Sequence, residues 1–240
     1  IALPGVPREM EYLMETFVID YLKERYNLQE QIIKAWVIHT ISKGESAIDE
    51  IIGEMETYSN PTVGLVAYPN QTDIRVTAKA ASSAEADSLM RPVVEEIRRR
   101  LGDYIYGENE TTLEAVIVRI LKEKKLRLAI VESGTKSEIS NKLNLHANND
   151  IIRSEHLDSY ISDETLKSFM AEFAELNQAD LVLGVRLSND GQTQTLYQAL
   201  LDKDSFWEDQ RDYSGPLGDG LRWAFNTSLD SVRRKIIHTR

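Results

Sequence analysis

The stretch LRLAIVESGTKSEISNKLN at residues 126–144 constrains the fold most strongly, because an apolar run suited to a buried strand leads directly into a short polar turn and a helical pattern. The flanking segments continue this alternation. TTLEAVIVRILKEKK, ISDETLKSFMAEFAELNQ and GDGLRWAFNTSLDSVRRKII predict helices, while ADLVLGVRLS and TQTLYQALLD predict strands. The second half of the chain is therefore predicted to form an open α/β sheet with helices on both faces. We expect Lys203–Gly218, with its glycine, proline and acidic residues, to be a loop.

The first half predicts a smaller α+β unit. Apolar residues recur at three- and four-residue spacing from Arg8 to about Tyr26, which predicts an amphipathic helix. A strand (QIIKAWVIHTIS), a helix (SKGESAIDEIIGEME), a strand hairpin turning at Pro69-Asn70-Gln71 and a long helix ended by Gly102 follow.

Local signals set the expected boundaries within this first half. Ser42 or Ser46 is predicted to cap the helix that follows Gly44, and Pro92 is expected near a first turn or a kink. The polar segment 107–110 marks the boundary between domains. We therefore divide the chain into residues 1–30, 31–107 and 108–240.

Composition excludes several classes of function. The chain has no cysteine, which rules out disulfides, thiolate metal sites and cysteine nucleophiles and suits a reducing cytoplasm. The net charge of −11 opposes nonspecific binding to nucleic acid or an anionic membrane, and no apolar run reaches the roughly 18 residues of a membrane helix. The four histidines lack metal-ligand spacing, so we expect no metal site: His39, His146, His156 and His238.

Three segments together resemble the competence/damage-inducible CinA family. LPGVPREM resembles the end of that family's N-terminal molybdopterin-binding-like domain. KGESAIDEI, PTVGLVAYPNQTDIRVTAKA and LGDYIYG resemble its KH-like domain, and LRLAIVESGTKSEISNKL takes the place of the AESCTGG-type motif that opens its nicotinamide-mononucleotide deamidase domain. The resemblance implies the tail of the first domain at 1–30, a KH-like α+β domain at 31–107 and a three-layer α/β/α deamidase-like domain at 108–240.

The resemblance also implies a catalytic serine, and here the match is incomplete. Glu132, Ser133 and Thr135 match the motif, but Gly134 replaces its cysteine, and Lys136 and Ser137 replace its two glycines. A turn that cradles a phosphate needs residues that let backbone N–H groups approach closely, and larger side chains would crowd it.

The expected partners of the serine are altered as well. A serine hydroxyl needs a neighbouring base and oxyanion donors to act as a nucleophile. The family supplies a tyrosine and a lysine just after this helix, whereas the segment here has no lysine; Tyr160 and Lys167 are the nearest candidates. The family's glycine-rich TGIAGP turn is replaced by residues 186–191, RLSNDG. We therefore expect an inactive deamidase-like domain that serves assembly, with Ser133 as a vestigial nucleophile position.

Two alternatives remain open. The first is an active nicotinamide-nucleotide amidase that uses Ser133, with Lys136 or Tyr160 as its base. The second is a nucleotide or RNA sensor in which Gly44, Glu45 and Ser46 contact a nucleotide, although the same residues suit an ordinary helix start.

RNA binding is disfavoured because Lys43-Gly44-Glu45-Ser46 lacks the second glycine of the Gly-x-x-Gly loop of RNA-binding KH domains. The basic run at 98–100 is expected to be a solvated helix end. Lys136 is a further candidate for nucleotide binding. We expect no cofactor in this chain, a homodimer, and a nucleotide as the candidate ligand.

Overall fold

Five strands form the sheet of the second half of the chain in a computed structural model that describes residues 1–28, 31–147, 150–157 and 161–238. The strands are β5 Leu128–Ser133, β6 Ile152–Leu157, β7 Leu181–Asn189, β8 Gln194–Asp202 and β9 Phe206–Tyr213, in the order β6-β5-β7-β8-β9. The first three are parallel, whereas β8 and β9 are antiparallel to their neighbours.

Helices cover both faces of this sheet. They are α5 Leu113–Lys124, α6 Glu138–Asn144, α7 Asp163–Asn177 and α8 Gly220–His238. The helices α5, α6 and α8 pack on one face through a core that contains Ile117, Leu143 and Leu229, and α7 packs on the other through Leu166 and Met170. This arrangement confirms the predicted three-layer α/β/α class.

The first half contains a four-stranded antiparallel sheet with helices on one face. Its strands are β1 Ile32–Ile41, β2 Thr62–Tyr68, β3 Gln71–Ala80 and β4 Ile105–Glu108, in the order β2-β3-β1-β4. The helices are α3 Glu45–Ile52 and α4 Ser83–Leu101. The core between the layers contains Ile38, Ile74, Met90 and Val94, all of them fully buried. The predicted boundary at 107–110 falls at the end of β4.

The predicted N-terminal helix is present but is not uniform. It consists of α1 Pro7–Leu13, a π-helical segment Met14–Val18, and α2 Ile19–Tyr26. None of its residues is buried, and the rings of Tyr12, Phe17 and Tyr21 are exposed. Among the described residues, no helix combines the length and apolar composition needed to span a bilayer.

The predicted loop at Lys203–Gly218 is wrong, because most of it is the strand β9. Four charged residues in FWEDQRDY obscure the strand pattern. They are tolerated because β9 lies at the edge of the sheet, beside β8. The strand β6, at the opposite edge, was not predicted either, and its central residues are exposed.

The predicted cap at Ser42 or Ser46 is wrong. Neither serine caps α3: Gly44 is the N-cap, while the Ser42 hydroxyl donates to Asp230 Oδ2 at 2.7 Å. Pro92 lies in the middle of α4 rather than in its first turn. Thr112 caps α5, because its side chain accepts a hydrogen bond from the backbone N–H of Ala115.

A buried polar contact joins the two sheets through α8. Arg233 and Asp230 form a pair at 2.7 Å, and their side chains are 4% and 3% exposed. Arg233 also donates to the carbonyl oxygen of Asp103 at 2.7 Å, and Asn226 donates to that of Pro69 at 2.8 Å. The tip of the β2–β3 hairpin and the segment after α4 are therefore held against the last helix.

Candidate functional site

The turn between β5 and α6 contains the residues that matched the serine motif. Gly134 adopts a left-handed conformation with φ +73°, and a Cβ atom there would lie 1.9 Å from the carbonyl oxygen of Leu187. Lys136 and Ser137 also have positive φ, 56° and 58°, a region that glycine occupies at much lower cost. The turn thus keeps a backbone suited to glycine at the two positions where the family motif has glycines.

Glu132 holds this turn in place through hydrogen bonds to its carboxylate. Its carboxylate is fully buried and accepts hydrogen bonds from the Thr135 hydroxyl at 2.5 Å, from the Ser140 backbone N–H at 3.2 Å and from the Ser140 hydroxyl. A buried carboxylate is stable only when such donors surround it. Glu132 and Thr135 therefore act as structural groups that tie the turn to α6. Sequence reasoning missed Ser140, and its only signal was a serine within the first turn of the helix.

Ser133 is fully buried and lies on the opposite side of the sheet from Glu132. Successive side chains of a strand point to opposite faces. Ile130 packs with α5, α6 and α8, so Glu132 faces that layer, whereas Val131 packs with α7, so Ser133 faces α7. The Glu132 carboxylate therefore cannot take a proton from the Ser133 hydroxyl.

Several polar residues on the face of the sheet that α7 covers, the face of Ser133, bind one another. Arg186, paired in register with Ser133 on the neighbouring strand, donates to Asp163 at 2.7 and 2.9 Å. Lys167 forms an ion pair with Glu208 at 2.6 Å, and the same carboxylate accepts a hydrogen bond from the Tyr197 hydroxyl.

This network keeps the nearby titratable groups protonated. The hydrogen bond from Lys167 to Glu208 raises the pKa of Lys167 above its ordinary value. Burial, followed by the hydrogen bond to Glu208, raises the pKa of Tyr197. Neither group is suited to act as a base near neutral pH. Of the two candidate bases of the amidase alternative, Tyr160 lies outside the described residues and Lys136 is exposed, whereas Ser133 is buried.

The helix α3, which packs on the first sheet, starts with Gly44, Glu45 and Ser46. The Gly44 carbonyl accepts from the backbone N–H groups of Ala47 and Ile48, so the segment is an ordinary first helical turn. Within the described part of the chain, no hydrogen bond or ion pair connects Lys136, which is exposed, to these residues. The structure does not bring the four nucleotide-binding candidates together.

The basic run at the end of α4 is internally neutralised. Arg98 pairs with Glu108 at 2.7 Å, and Arg99 and Arg100 both pair with Glu96. Hydrogen bonds from these two arginines lower the pKa of Glu96 to about 2. The run therefore presents little unbalanced positive charge for phosphate binding. In the ranges that the structure describes, no group of histidine, aspartate and glutamate side chains is arranged to hold a metal ion.

A cleft of about 980 Å³ lies between the two halves of the chain, and Ser133 is not among its lining residues. Tyr104 from the first half and Trp207 and Arg234 from the second contribute to its walls. This cleft is large enough for a ligand, but none of the residues that match the serine motif lines it.

Comparisons with known proteins find similarity to CinA proteins in two ways, through a KH-domain model and through curated sequences. The family model of the damage-inducible protein CinA KH domain matches residues 36–107. The chain is 43% identical over 144 residues to a CinA-like protein from Dictyoglomus thermophilum and 42% identical over 144 residues to one from Dictyoglomus turgidum. Each match covers 60% of this chain and 34% of the relative.

Among solved structures, a CinA-superfamily protein from Klebsiella pneumoniae is similar over 53% of this chain and 97% of its own, with a TM-score of 0.45 and 14% identity. The competence/damage-inducible protein CihA from Agrobacterium tumefaciens is similar over 53% and 96%, with a TM-score of 0.40 and 12% identity. Residues 36–107 therefore resemble the CinA KH domain, and the chain spans about a third of the length of the CinA-like relatives that it matches.

Proposed function

We propose that this chain is a pseudoenzyme form of the CinA family, in which a deamidase-like domain that no longer hydrolyses nicotinamide mononucleotide serves as an assembly scaffold. The scaffold would act in ADP-ribose and NAD recycling in the cytoplasm. The observation that carries the proposal is the burial of Ser133, whose exposed fraction is 0%. A nucleophile must come within contact distance of the substrate's carbonyl carbon, and this hydroxyl has no open path to one.

The surroundings of Ser133 support the same conclusion. Glu132 points to the other face of the sheet and is engaged by Thr135 and Ser140. Lys167 is held as a cation by Glu208. Neither Glu132 nor Lys167 therefore has both the position and the protonation state of a general base for Ser133. The retained helices and sheet still provide a stable domain for contacts with other chains.

An ammonia-release assay tests the catalytic half of the proposal. The purified chain would be incubated with nicotinamide mononucleotide beside Ser133→Ala, with circular dichroism confirming that both are folded and an active CinA-family deamidase as the positive control. We expect the ammonia released by the wild-type chain to match that of Ser133→Ala and of a protein-free blank. Turnover by the wild type that disappears in Ser133→Ala would overturn the proposal and support the amidase alternative.

Light scattering at micromolar concentration tests the assembly half. A scaffold domain should form a dimer, since closed two-fold assemblies are the commonest oligomers. A monomer over the whole concentration range would contradict the scaffold role and leave an inactive domain without this function.

A further inference from the structure

The strand β2 is an edge of the first sheet and has no charged residue. Its sequence, TVGLVAY, pairs with β3 without a register shift, and no second strand of the described residues pairs with its other side. Val66 is 44% exposed and Tyr68 38%. The two edges of the second sheet differ: β6 carries Arg153 and Glu155, and β9 carries four charged residues. Charged edges discourage pairing with another chain, whereas an uncharged, regular edge permits it.

The hairpin register shows which backbone groups of β2 face outward. Tyr68 and Gln71 flank the turn of Pro69 and Asn70, so they must exchange backbone hydrogen bonds with each other. Because hydrogen-bonded pairs alternate along an antiparallel ladder, Val66, Gly64 and Thr62 also exchange backbone hydrogen bonds with β3. The alternate residues Val63, Leu65 and Ala67 direct their backbone N–H and C=O groups away from β3. In the described part of the chain these groups have no hydrogen-bond partner.

Charge favours a second copy of this chain as the occupant of this edge. With a net charge of −11, two copies repel each other over most of their surface. The strand β2 carries no charge, and its neighbour β3 places one acid and two bases, Asp73, Arg75 and Lys79, on the face shared by Gly64 and Val66. This patch is therefore less acidic than the chain as a whole.

We propose that β2 pairs with β2 of a second copy, antiparallel and with the two-fold axis at Leu65, which joins two four-stranded sheets into one. The inference rests on the proposed assembly role and identifies the surface that performs it. In this register each outward-facing residue exchanges both backbone hydrogen bonds with the partner strand.

The side chains of β2 fit this register. On the face away from the helices, Gly64 lies opposite Val66 and Thr62 opposite Tyr68, so a small residue meets a larger one at each pair. On the other face, Leu65 lies opposite its own copy and Val63 opposite Ala67. The pairing therefore brings no charged residues of β2 together and opposes no two bulky side chains except at the axis.

Disulfide trapping tests the register directly, because the chain has no cysteine of its own. In Leu65→Cys the two copies of the new residue face each other with Cα atoms about 5.5 Å apart, within the range that a disulfide spans. In the matched control Ala67→Cys the copies lie about 14 Å apart at ~3.4 Å per residue, beyond that range. We expect a covalent dimer on a non-reducing gel for Leu65→Cys only. Crosslinking of Ala67→Cys, or of neither variant, would overturn the proposed pairing.

Light scattering of Ala67→Pro supplies a second measurement. The proline removes an outward N–H and no hydrogen bond to β3, so an edge strand tolerates it. We expect the wild-type chain to be a dimer and Ala67→Pro, with an unchanged circular dichroism spectrum, to be a monomer. A dimer that persists in Ala67→Pro together with failure of Leu65→Cys to crosslink would refute this edge but not the scaffold role. A monomeric wild type would refute both.

Discussion

Replacement of Gly134 by alanine should destabilise the second domain more than replacement of Gly191 by alanine. At φ +73° an alanine adopts a left-handed conformation, which costs roughly 1–2 kcal/mol. Its Cβ would also lie 1.9 Å from the carbonyl oxygen of Leu187, where real Cβ atoms keep at least 3.0 Å. Relief of that contact requires a shift of the β7 backbone, and overpacking of this kind costs roughly 1–3 kcal/mol.

The two costs together predict a decrease of about 2–5 kcal/mol in the free energy of unfolding. Gly191→Ala is a matched control, because Gly191 also has positive φ, +92°, but a Cβ atom at this position would have no other atom within 4 Å. It should cost only the conformational part, roughly 1–2 kcal/mol. Any gain from restricting the unfolded chain applies equally to both substitutions.

Urea unfolding followed by tryptophan fluorescence measures the difference, since Trp207 and Trp223 both lie in the second domain. If Gly134→Ala loses no more stability than Gly191→Ala, the close contact between the turn and β7 does not exist. The turn that follows Ser133 would then not be packed tightly against β7, and the burial of Ser133 would lose this support.

Two further predictions concern pairs of charged side chains. Asp230→Ala leaves Arg233 buried without its partner and should lower the free energy of unfolding by about 3–5 kcal/mol in urea titrations; a loss below about 1 kcal/mol would contradict a desolvated pair. Burial alone would lower the pKa of His39, but hydrogen bonds to Asp73 and to the Asn109 carbonyl outweigh it and raise that pKa above its ordinary value. The resulting stabilisation should be complete below about pH 6.5 and lost as the pH rises through the folded pKa, so urea titrations at pH 6 and pH 9 should differ more in the wild type than in His39→Gln. Equal differences in the two proteins would contradict the protonated pairing.

Helices and strands were predictable from the sequence where a regular apolar pattern is followed by a residue that ends the element. The run before Ser133 is apolar because β5 is buried on both faces, and Gly102 ends α4 with φ +48°. The strand β9 was missed because its outward residues are charged and its pairing with β8 depends on tertiary structure. The wrong cap at Ser42 has a similar cause, since its hydroxyl bonds to Asp230, 188 residues away.

The residues of the candidate site were predictable from the sequence, but only part of its geometry was. The replacements at Lys136 and Ser137 are visible in the sequence, yet their left-handed backbone is not. Strand alternation alone separates Glu132 from Ser133, so this part of the geometry was available from the sequence. The ion pair between Lys167 and Glu208 joins α7 to β9, which was predicted as a loop, and was therefore out of reach.

Thiol labelling of Ser133→Cys tests the central claim, that the hydroxyl at this position is closed to any substrate. The chain has no other cysteine, and Lys136→Cys, three residues further along the same turn and exposed, is the control. A buried thiol reacts with a soluble disulfide reagent only when the turn opens, so we expect labelling at least about 100-fold slower than the control. Labelling of both variants at similar rates would show an accessible position 133 and would contradict the account of a closed site.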